Sequence, residues 1–253
     1  MKNAITILFF LFVAFGFQKL SAQEFYTTVS GEMIFSWADA AYTQAQGGDQ
    51  LPNGNSAGDI NDAMRWTVWF HLHFNFHYDF NKHFGLYTGI GNRNIGFITR
   101  ENSSFLDENG NSTEENIKWK RRAYALSIPL AIKFGNFDKF FFFAGAQYEW
   151  LYHYKEKEFM DSGKRKYTDW FSDRVNAFIP SVFVGVSLPY GTTLKFTAML
   201  DNMMNKSYTD NEGNQPYKYM DSKIMYISVS SFIRWEKDVY TKMEKKESKI
   251  AWN

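Results

Sequence analysis

The chain of 253 residues carries 28 basic and 27 acidic side chains, a net charge of +1 that builds no field for gathering nucleic acid. With no cysteine, 17 glycines and 5 prolines, it excludes disulfide scaffolds, thiolate-ligated zinc, iron–sulfur clusters and collagen-like repeats. Yet 26 Phe, 15 Tyr and 8 Trp stand in a sequence of mean hydropathy −0.41, a combination that asks for an architecture in which each apolar residue has a polar neighbour.

In chain order, Lys2 precedes the apolar stretch Ile5 to Phe17, and the small residues Ser21 and Ala22 follow before Gln23 and Glu24. That order of charge, apolar run and small residues predicts a secretory signal peptide over 1–22. No internal apolar run reaches the 18 or so residues that a membrane-spanning helix needs.

The body of the chain reads as strands. From Arg65 to Phe80, Trp66, Val68, Phe70, Leu72, Phe74, Phe76 and Tyr78 share one face, while Arg65, Thr67, Trp69, His71, His73, Asn75, His77 and Asp79 share the other. Period two sustained this long exceeds an ordinary globular strand. The alternation recurs over 124–134 and around Val182 to Leu188, and further strands are predicted over 25–38, 83–99, 140–154, 192–202 and 223–235. Eight is an even number, as a closed antiparallel barrel of a bacterial outer membrane requires.

The connections alternate strictly: 39–63, 100–118, 155–176 and 203–222 are long, whereas Asn81 with Lys82, Gly135 to Lys139, and Tyr190 with Gly191 are short. Long loops on one side and short turns on the other are a consequence of up-and-down membrane topology, and a soluble sandwich has no reason to sort its loops so. The predicted fold is therefore all-β: an eight-stranded antiparallel transmembrane β-barrel with up-and-down topology, spanning 23–235 and followed by a periplasmic tail over 236–253. Trp37, Trp66, Trp119, Trp150 and Trp235 fall at or near predicted strand ends, where indole prefers the headgroup level.

The inward face supplies the candidate site residues. The phases place Glu32, Arg65, His71, His73, His77, Asp79, Arg93, Arg121, Lys133, Glu149, Lys195, Asp201 and Arg234 toward the lumen. Eight strands leave an interior just wide enough for side chains to fill, so these groups are expected to pair in a plug instead of lining a channel. His71, His73 and His77 on one strand read as polar filling, with no metal and no cofactor expected. Ser127 and Glu149 are inward groups on neighbouring strands, but no spacing identifies a nucleophile and its base, and no G-x-S-x-G, H-E-x-x-H or Gly-rich phosphate loop occurs. The four long linkers carry −4, −3, +1 and −1, so an acidic outer crown is expected.

The stretches GEMIFSWAD at Gly31 to Asp39, RWTVWFHLHFNF from Arg65, GLYTGIGNRNIGF at Gly85 to Phe97 and RRAYALSIPLAIKFG from Arg121 resemble the small PorT-like outer-membrane β-barrel proteins of Bacteroidetes, as does the SAQ ending at Ser21 to Gln23. The resemblance implies a barrel in the cell outer membrane, and for PorT itself it extends to the type IX secretion system. The expected function is non-enzymatic: a structural, assembly or binding component of the envelope, with an association with protein secretion implied by the resemblance. A membrane-embedded lipid or lipopolysaccharide hydrolase and a narrow solute transporter are the alternatives. The expected partners are outer-membrane lipid and lipopolysaccharide, and an envelope protein reached through the long loops or the C-terminal tail.

Overall fold

The structure, a computed structural model, describes residues 24–42, 60–106, 112–160 and 163–235. The expected signal peptide and C-terminal tail, and the tips of the first three long linkers, lie outside the described residues.

Eleven antiparallel segments form one sheet: β1 (Glu24–Tyr42), β2 (Ile60–Ala63), β3 (Arg65–Thr67), β4 (Leu72–Asp79), β5 (Phe84–Leu106), β6 (Ser112–Asn136), β7 (Phe140–Met160), β8 (Gly163–Trp170), β9 (Phe178–Ser187), β10 (Thr192–Met199) and β11 (Met220–Trp235). β11 pairs with β1 from Trp235 opposite Thr27 to Met220 opposite Tyr42, so the first and last strands close the sheet on itself. β2, β3 and β4 together make one stave and β8 with β9 another, which leaves eight staves, each neighbouring the next in sequence. The fold is an eight-stranded, up-and-down antiparallel barrel.

Its outer face is apolar. Along β6, Phe134, Ile132, Leu130, Ile128, Leu126 and Tyr124 point out, while Lys133, Ala131, Ser127, Ala125 and Ala123 between them are buried. Ten residues of strand rise roughly 34 Å, which at a tilt of about 40° covers about 25 Å, the height of a lipid-facing belt. An open face of this kind, with Leu130 64% and Ile128 58% exposed, suits hydrocarbon and not water. The barrel is transmembrane and of the outer-membrane type. The chain enters and leaves at the end that carries the short turns. There Asn81 Oδ1 accepts hydrogen bonds from the amides of His83 and Phe84 at 2.8 and 2.9 Å, and Asn136 Oδ1 accepts from Asp138 at 3.0 Å. The third turn uses Tyr190 and Gly191 at positive φ.

The strands at the long-loop end exceed their predicted lengths. β5, β6 and β7 run to 23, 25 and 21 residues, so much of the linkers 100–118 and 155–176 is paired sheet. The sequence there is largely polar, which erases the hydrophobic alternation while the backbone ladder continues. Trp119 accordingly lies within β6 on its inner face, its ring 4.7 Å from the Arg121 guanidinium, and not in an interfacial girdle.

The predicted uninterrupted strand 65–80 is broken at 68–71. Ile34 faces Thr67, whereas Gly31 faces Leu72, so β1 advances three residues while the partner advances five. Two extra residues preserve parity, which is why inward phase resumes at His71 and His73. Inside the break Trp69 is exposed, contrary to its predicted inward position, because the chain turns there and Phe70 takes φ 67°.

Candidate functional site: the barrel lumen and a gap in its wall

The lumen is filled in layers. At the short-turn end Lys133 is ion-paired to Asp79, and its Nζ donates to Tyr26 OH at 3.1 Å and lies 3.2 Å from His77 Nδ1. The His77 ring stacks on Tyr26 at 4.6 Å, and its Nε2 meets Thr28 Oγ1 at 2.9 Å. Arg234, half-buried at the rim, covers the other side of Tyr26 at 3.8 Å and pairs with Glu24. Above lies an aromatic layer of Phe141, Phe143 and Phe183 with Tyr87.

The central layer is ionic. Glu32 Oε1 accepts from Arg93 Nε at 2.7 Å and lies 3.0 Å from His73 Nε2, while Glu32 Oε2 lies 3.5 Å from Lys195 Nζ. Arg93 Nη1 donates to Ser127 Oγ at 2.9 Å and Gln147 Oε1 at 3.0 Å, and lies 3.5 Å from Glu149. Ser181 and Tyr226 hydroxyls donate to the two Glu149 oxygens at 2.7 and 3.3 Å. Gly91 makes room for this layer, since a Cβ there would lie 2.1 Å from His73 Nδ1. A cavity of about 70 Å³ remains beside it, bordered by Thr28, Asn75 and Thr193 on one side and by Phe141 and Phe143 on another.

Toward the long loops the interior turns apolar. Ile34, Ile95, Phe97, Leu151, Ile179 and Tyr226 line the wall, and Met203, Met204, Val175 and Tyr217 fold in from the linkers to cap it. Met204 bridges to Val175, and the amides of Met203 and Met204 donate to Ser222 at 3.0 and 2.9 Å. Over the cap, Glu156 accepts from Arg121 at 3.2 Å and from the Tyr154 hydroxyl at 2.8 Å, with Arg174 at 3.7 Å. Arg174 also donates to Tyr217 OH at 3.2 Å; burial first, and the Glu156 carboxylate second, push the Tyr217 phenol up to about 12.

Of the sequence-derived candidates, Glu32, Arg65, His71, His73, His77, Asp79, Arg93, Arg121, Lys133 and Glu149 are buried, Lys195 is largely so, and Arg234 sits at the rim. Asp201 is a correction. Pairing of β10 ends at Met199, the chain turns, and Asp201 stands exposed, accepting from the Asn202 amide at 2.7 Å. The capping residues were missed; the signal was the apolar pair Met203–Met204 set between Asn202 and Asn205 in a polar linker. Ser127 and Glu149 face each other across β6 and β7, but Arg93 engages both, and the Ser127 hydroxyl donates to the Gly91 carbonyl at 3.2 Å. Among the described residues no group of three His, Asp or Glu side chains could hold a metal ion.

A second feature opens on the outside. Ala63 faces Ile98 and Leu72 faces Asn92, so six residues of β5 lie opposite nine of its partner, and β3 lifts away from β5. Side chains replace the missing ladder: Arg65 donates to the Asn94 carbonyl at 3.1 Å and its Oδ1 at 2.6 Å, and His71 Nδ1 lies 3.4 Å from the Asn94 amide. Asn92 Nδ2 donates to the Phe70 carbonyl at 3.0 Å and holds the turn. The resulting pocket, about 550 Å³, is lined by Trp66, Trp69, Phe70 and Tyr124 below and by Lys120, Arg122 and Lys157 above.

Those cations belong to a wall. A one-residue bulge sets Tyr124 opposite His153 but Ala125 opposite Leu151, so inward phase passes from odd residues (Gln147, Glu149, Leu151) to even ones (Tyr154, Glu156). Lys155 and Lys157 thereby face out, directly beside Arg122 and Lys120, and Lys166 of β8 faces Lys157.

No protein-family model and no curated protein matches the chain. Among solved structures it is similar to Ail, the attachment invasion locus protein of Yersinia pestis, at 10% identity over 82% of this chain and 98% of that one, with a TM-score of 0.31. Neisserial surface protein A (NspA) is similar at 10% identity over 85% and 100%, with a TM-score of 0.35. The outer membrane protein OprG from Pseudomonas aeruginosa is similar at 10% identity over 83% and 95%, with a TM-score of 0.32. The barrel assignment rests on the strand pairing and the apolar exterior, not on these likenesses.

Proposed function

We propose that this is a sealed, non-enzymatic barrel of the outer membrane, of the PorT-like kind, acting as a structural, assembly or binding component of the envelope. The observation that carries the reading is the filled lumen. A central ion network, an aromatic layer and a folded-in apolar cap lie in series, and the cavity beside the ion network is about 70 Å³, room for a few waters. Ser127 is committed to Arg93 and the Gly91 carbonyl, and Glu149 to Arg93 and Ser181, an arrangement suited to rigidity and not to turnover. What such a protein offers its surroundings is its outer surface: the wall of β5 to β8 that continues beyond the lipid belt. An envelope protein engaged there, with the association with secretion that the PorT resemblance implies, belongs to the same reading. Purified protein in planar bilayers tests it. No sustained conductance is expected at neutral pH, and a stable open channel overturns the sealed-barrel reading in favour of transport.

A further inference from the structure

On β6 the outward residues run Leu126, Tyr124, Arg122, Lys120, Lys118, so the face changes from hydrocarbon-compatible to cationic within two steps of one strand, about 7 Å each. The change falls where the apolar belt of about 25 Å ends, on the long-loop side. That is the level at which outer-leaflet lipids carry their phosphates, below the sugars and loops.

The neighbouring strand repeats the change in register. Lys157 faces Lys120 and Lys155 faces Arg122, with Lys166 beside Lys157. Like charges directly opposite one another in a sheet are destabilising. Among the described residues none of Lys120, Arg122, Lys155 and Lys157 lies within ion-pair distance of a carboxylate: Lys120 and Arg122 face out in the unbroken phase of β6, and the bulge that turns Lys155 and Lys157 outward turns Glu156 inward. No carboxylate among the described residues therefore pairs with these four cations to offset their mutual repulsion.

The gap between β3 and β5 adds a shape to this charge. Its floor is Trp66, Trp69, Phe70 and Tyr124, and Phe70 is kept at φ 67° by the Asn92 side chain, which the Tyr152 hydroxyl orients at 2.8 Å. A barrel whose only task is to seal does not require a ladder break at its outer rim with an exposed aromatic held in the left-handed region. An amphipathic occupant does: acyl chains against the aromatic floor and an anionic headgroup against the cations above.

We propose that this gap and the adjoining cationic wall bind a phosphorylated lipid of the outer leaflet, with Lys120, Arg122 and Lys157 on its phosphate and Trp66, Trp69 and Phe70 on its apolar part. The inference deepens the reading of the outer wall as the functional surface and rests on the barrel standing in the membrane with its long loops outward. The net −7 of the four long linkers hides this site, because Lys120 and Arg122 lie just beyond the linker 100–118 and a sum along the chain does not register that Lys157 shares their face.

The test uses the purified full chain in a neutral detergent, with native mass spectrometry reading bound lipid. Bisphosphorylated lipid A is expected to bind at least about tenfold more tightly than its dephosphorylated form, as two or three charge-assisted hydrogen bonds to phosphate imply. The variant K120Q/R122Q/K157Q should lose that preference, and K120R/K157R should keep it. K82Q, in a short turn at the opposite end, should bind as the parent does. Heat-modifiable migration in gels establishes that each variant is folded. Equal binding of the two lipid A forms, or full retention of the preference by the folded triple variant, overturns the proposal. So does displacement of the lipid by millimolar inorganic phosphate, which would assign the cations to a free anion. Bilayer conductance is independent of each of these outcomes, so failure of the lipid site and failure of the sealed-barrel reading are separately visible.

Discussion

Arg93 on β5 and Glu32 on β1 meet at 2.7 Å although the whole of β4 separates their strands in the wall. The pair therefore bridges past one stave inside the barrel and ties non-adjacent strands together, with both side chains 2% exposed. Breaking a buried pair from one side leaves a charge with neither water nor partner, and typically costs about 3 to 5 kcal/mol. Glu32→Gln should fall near the lower end, since Arg93 retains Glu149 at 3.5 Å. Arg93→Met removes the cation shared by two buried carboxylates, leaving Lys195 and His73 to Glu32 and only hydroxyls to Glu149, and should cost more. The double variant should be markedly less destabilised than the sum of the two, because the residues share one network. Urea-dependent unfolding in liposomes reads all three, and simple additivity would remove the network from the account.

Phase on the broken stave is tested by contrasting its two faces. Leu72 and Phe74 are 47% and 45% exposed on the lipid side, while His73 between them is buried against Glu32. An arginine at Leu72 or Phe74 should cost roughly 2 to 4 kcal/mol according to depth. His73→Gln keeps a donor toward Glu32 and should cost less. A tolerated L72R beside a damaging H73Q, measured in one lipid composition, would reverse the assigned faces.

How much of this was legible follows from parity. Eight staves, the alternating connections and the buried charges of the lower and central lumen could be read because period two is undisturbed through β1, β4, β5 and most of β6. The break at 68–71 left no trace in the pattern, since two extra residues return the chain to the same face. The single bulge beside Tyr152 did the reverse: it exchanged the faces beyond it, so Lys155 and Lys157 point outward where an unbroken alternation continued from Glu149 puts them inside. Hydrophobic alternation reports a strand only where one face meets lipid, which is why the extensions of β5, β6 and β7 read as linkers. The cap of Met203 and Met204 depends on contacts between distant linkers, and no local period encodes it.

The packing of Gly91 gives a third prediction. A methyl group there meets His73 Nδ1 at 2.1 Å and Ser127 Oγ at 2.9 Å, with strand backbone on either side. Gly91→Ala should destabilise by about 1 to 3 kcal/mol through overpacking of the central layer. Adding His73→Ala should recover part of that loss, since the ring is the nearest obstacle. Denaturation midpoints of the two singles and the double decide it; no recovery would mean that the glycine serves the backbone and not the histidine.

Topology can be read directly because the sequence contains no cysteine. A cysteine at Asn211, exposed in the long connection before β11, should react with a membrane-impermeant thiol reagent on intact cells. One at Tyr190, fully exposed at the opposite end, should react only after the outer membrane is permeabilised. Labelling of Tyr190→Cys on intact cells, with protection of Asn211→Cys, would invert the barrel and move the cationic wall to the inner leaflet.

The loop that covers the cap has its own pH dependence. Asp210 accepts from the amides of Asn214 at 2.8 Å and Glu212 at 3.0 Å, while the Gly213 amide donates to its carbonyl at 3.1 Å. Those amides, Asn214 first, hold the Asp210 carboxyl below its ordinary range. A carboxyl whose pKa is lower in the closed loop than in the open one contributes fully above the ordinary value of about 3.9. The contribution is then lost as pH falls through the depressed value. The loop should therefore keep its closed turn through neutral and mildly acidic pH, and loosen only below the range in which a free aspartate titrates. The carboxyl carbon shift of Asp210, followed by NMR in detergent micelles, should show a midpoint below that of a model peptide, with the Asn214 amide shifting over the same interval. Asp210→Asn, which cannot titrate, should abolish the coupled amide transition. A midpoint at or above the peptide value, or an Asn214 transition that persists in the variant, would detach the loop's order from this carboxylate and leave the apolar contacts of Met203, Met204 and Tyr217 to hold the cap unaided.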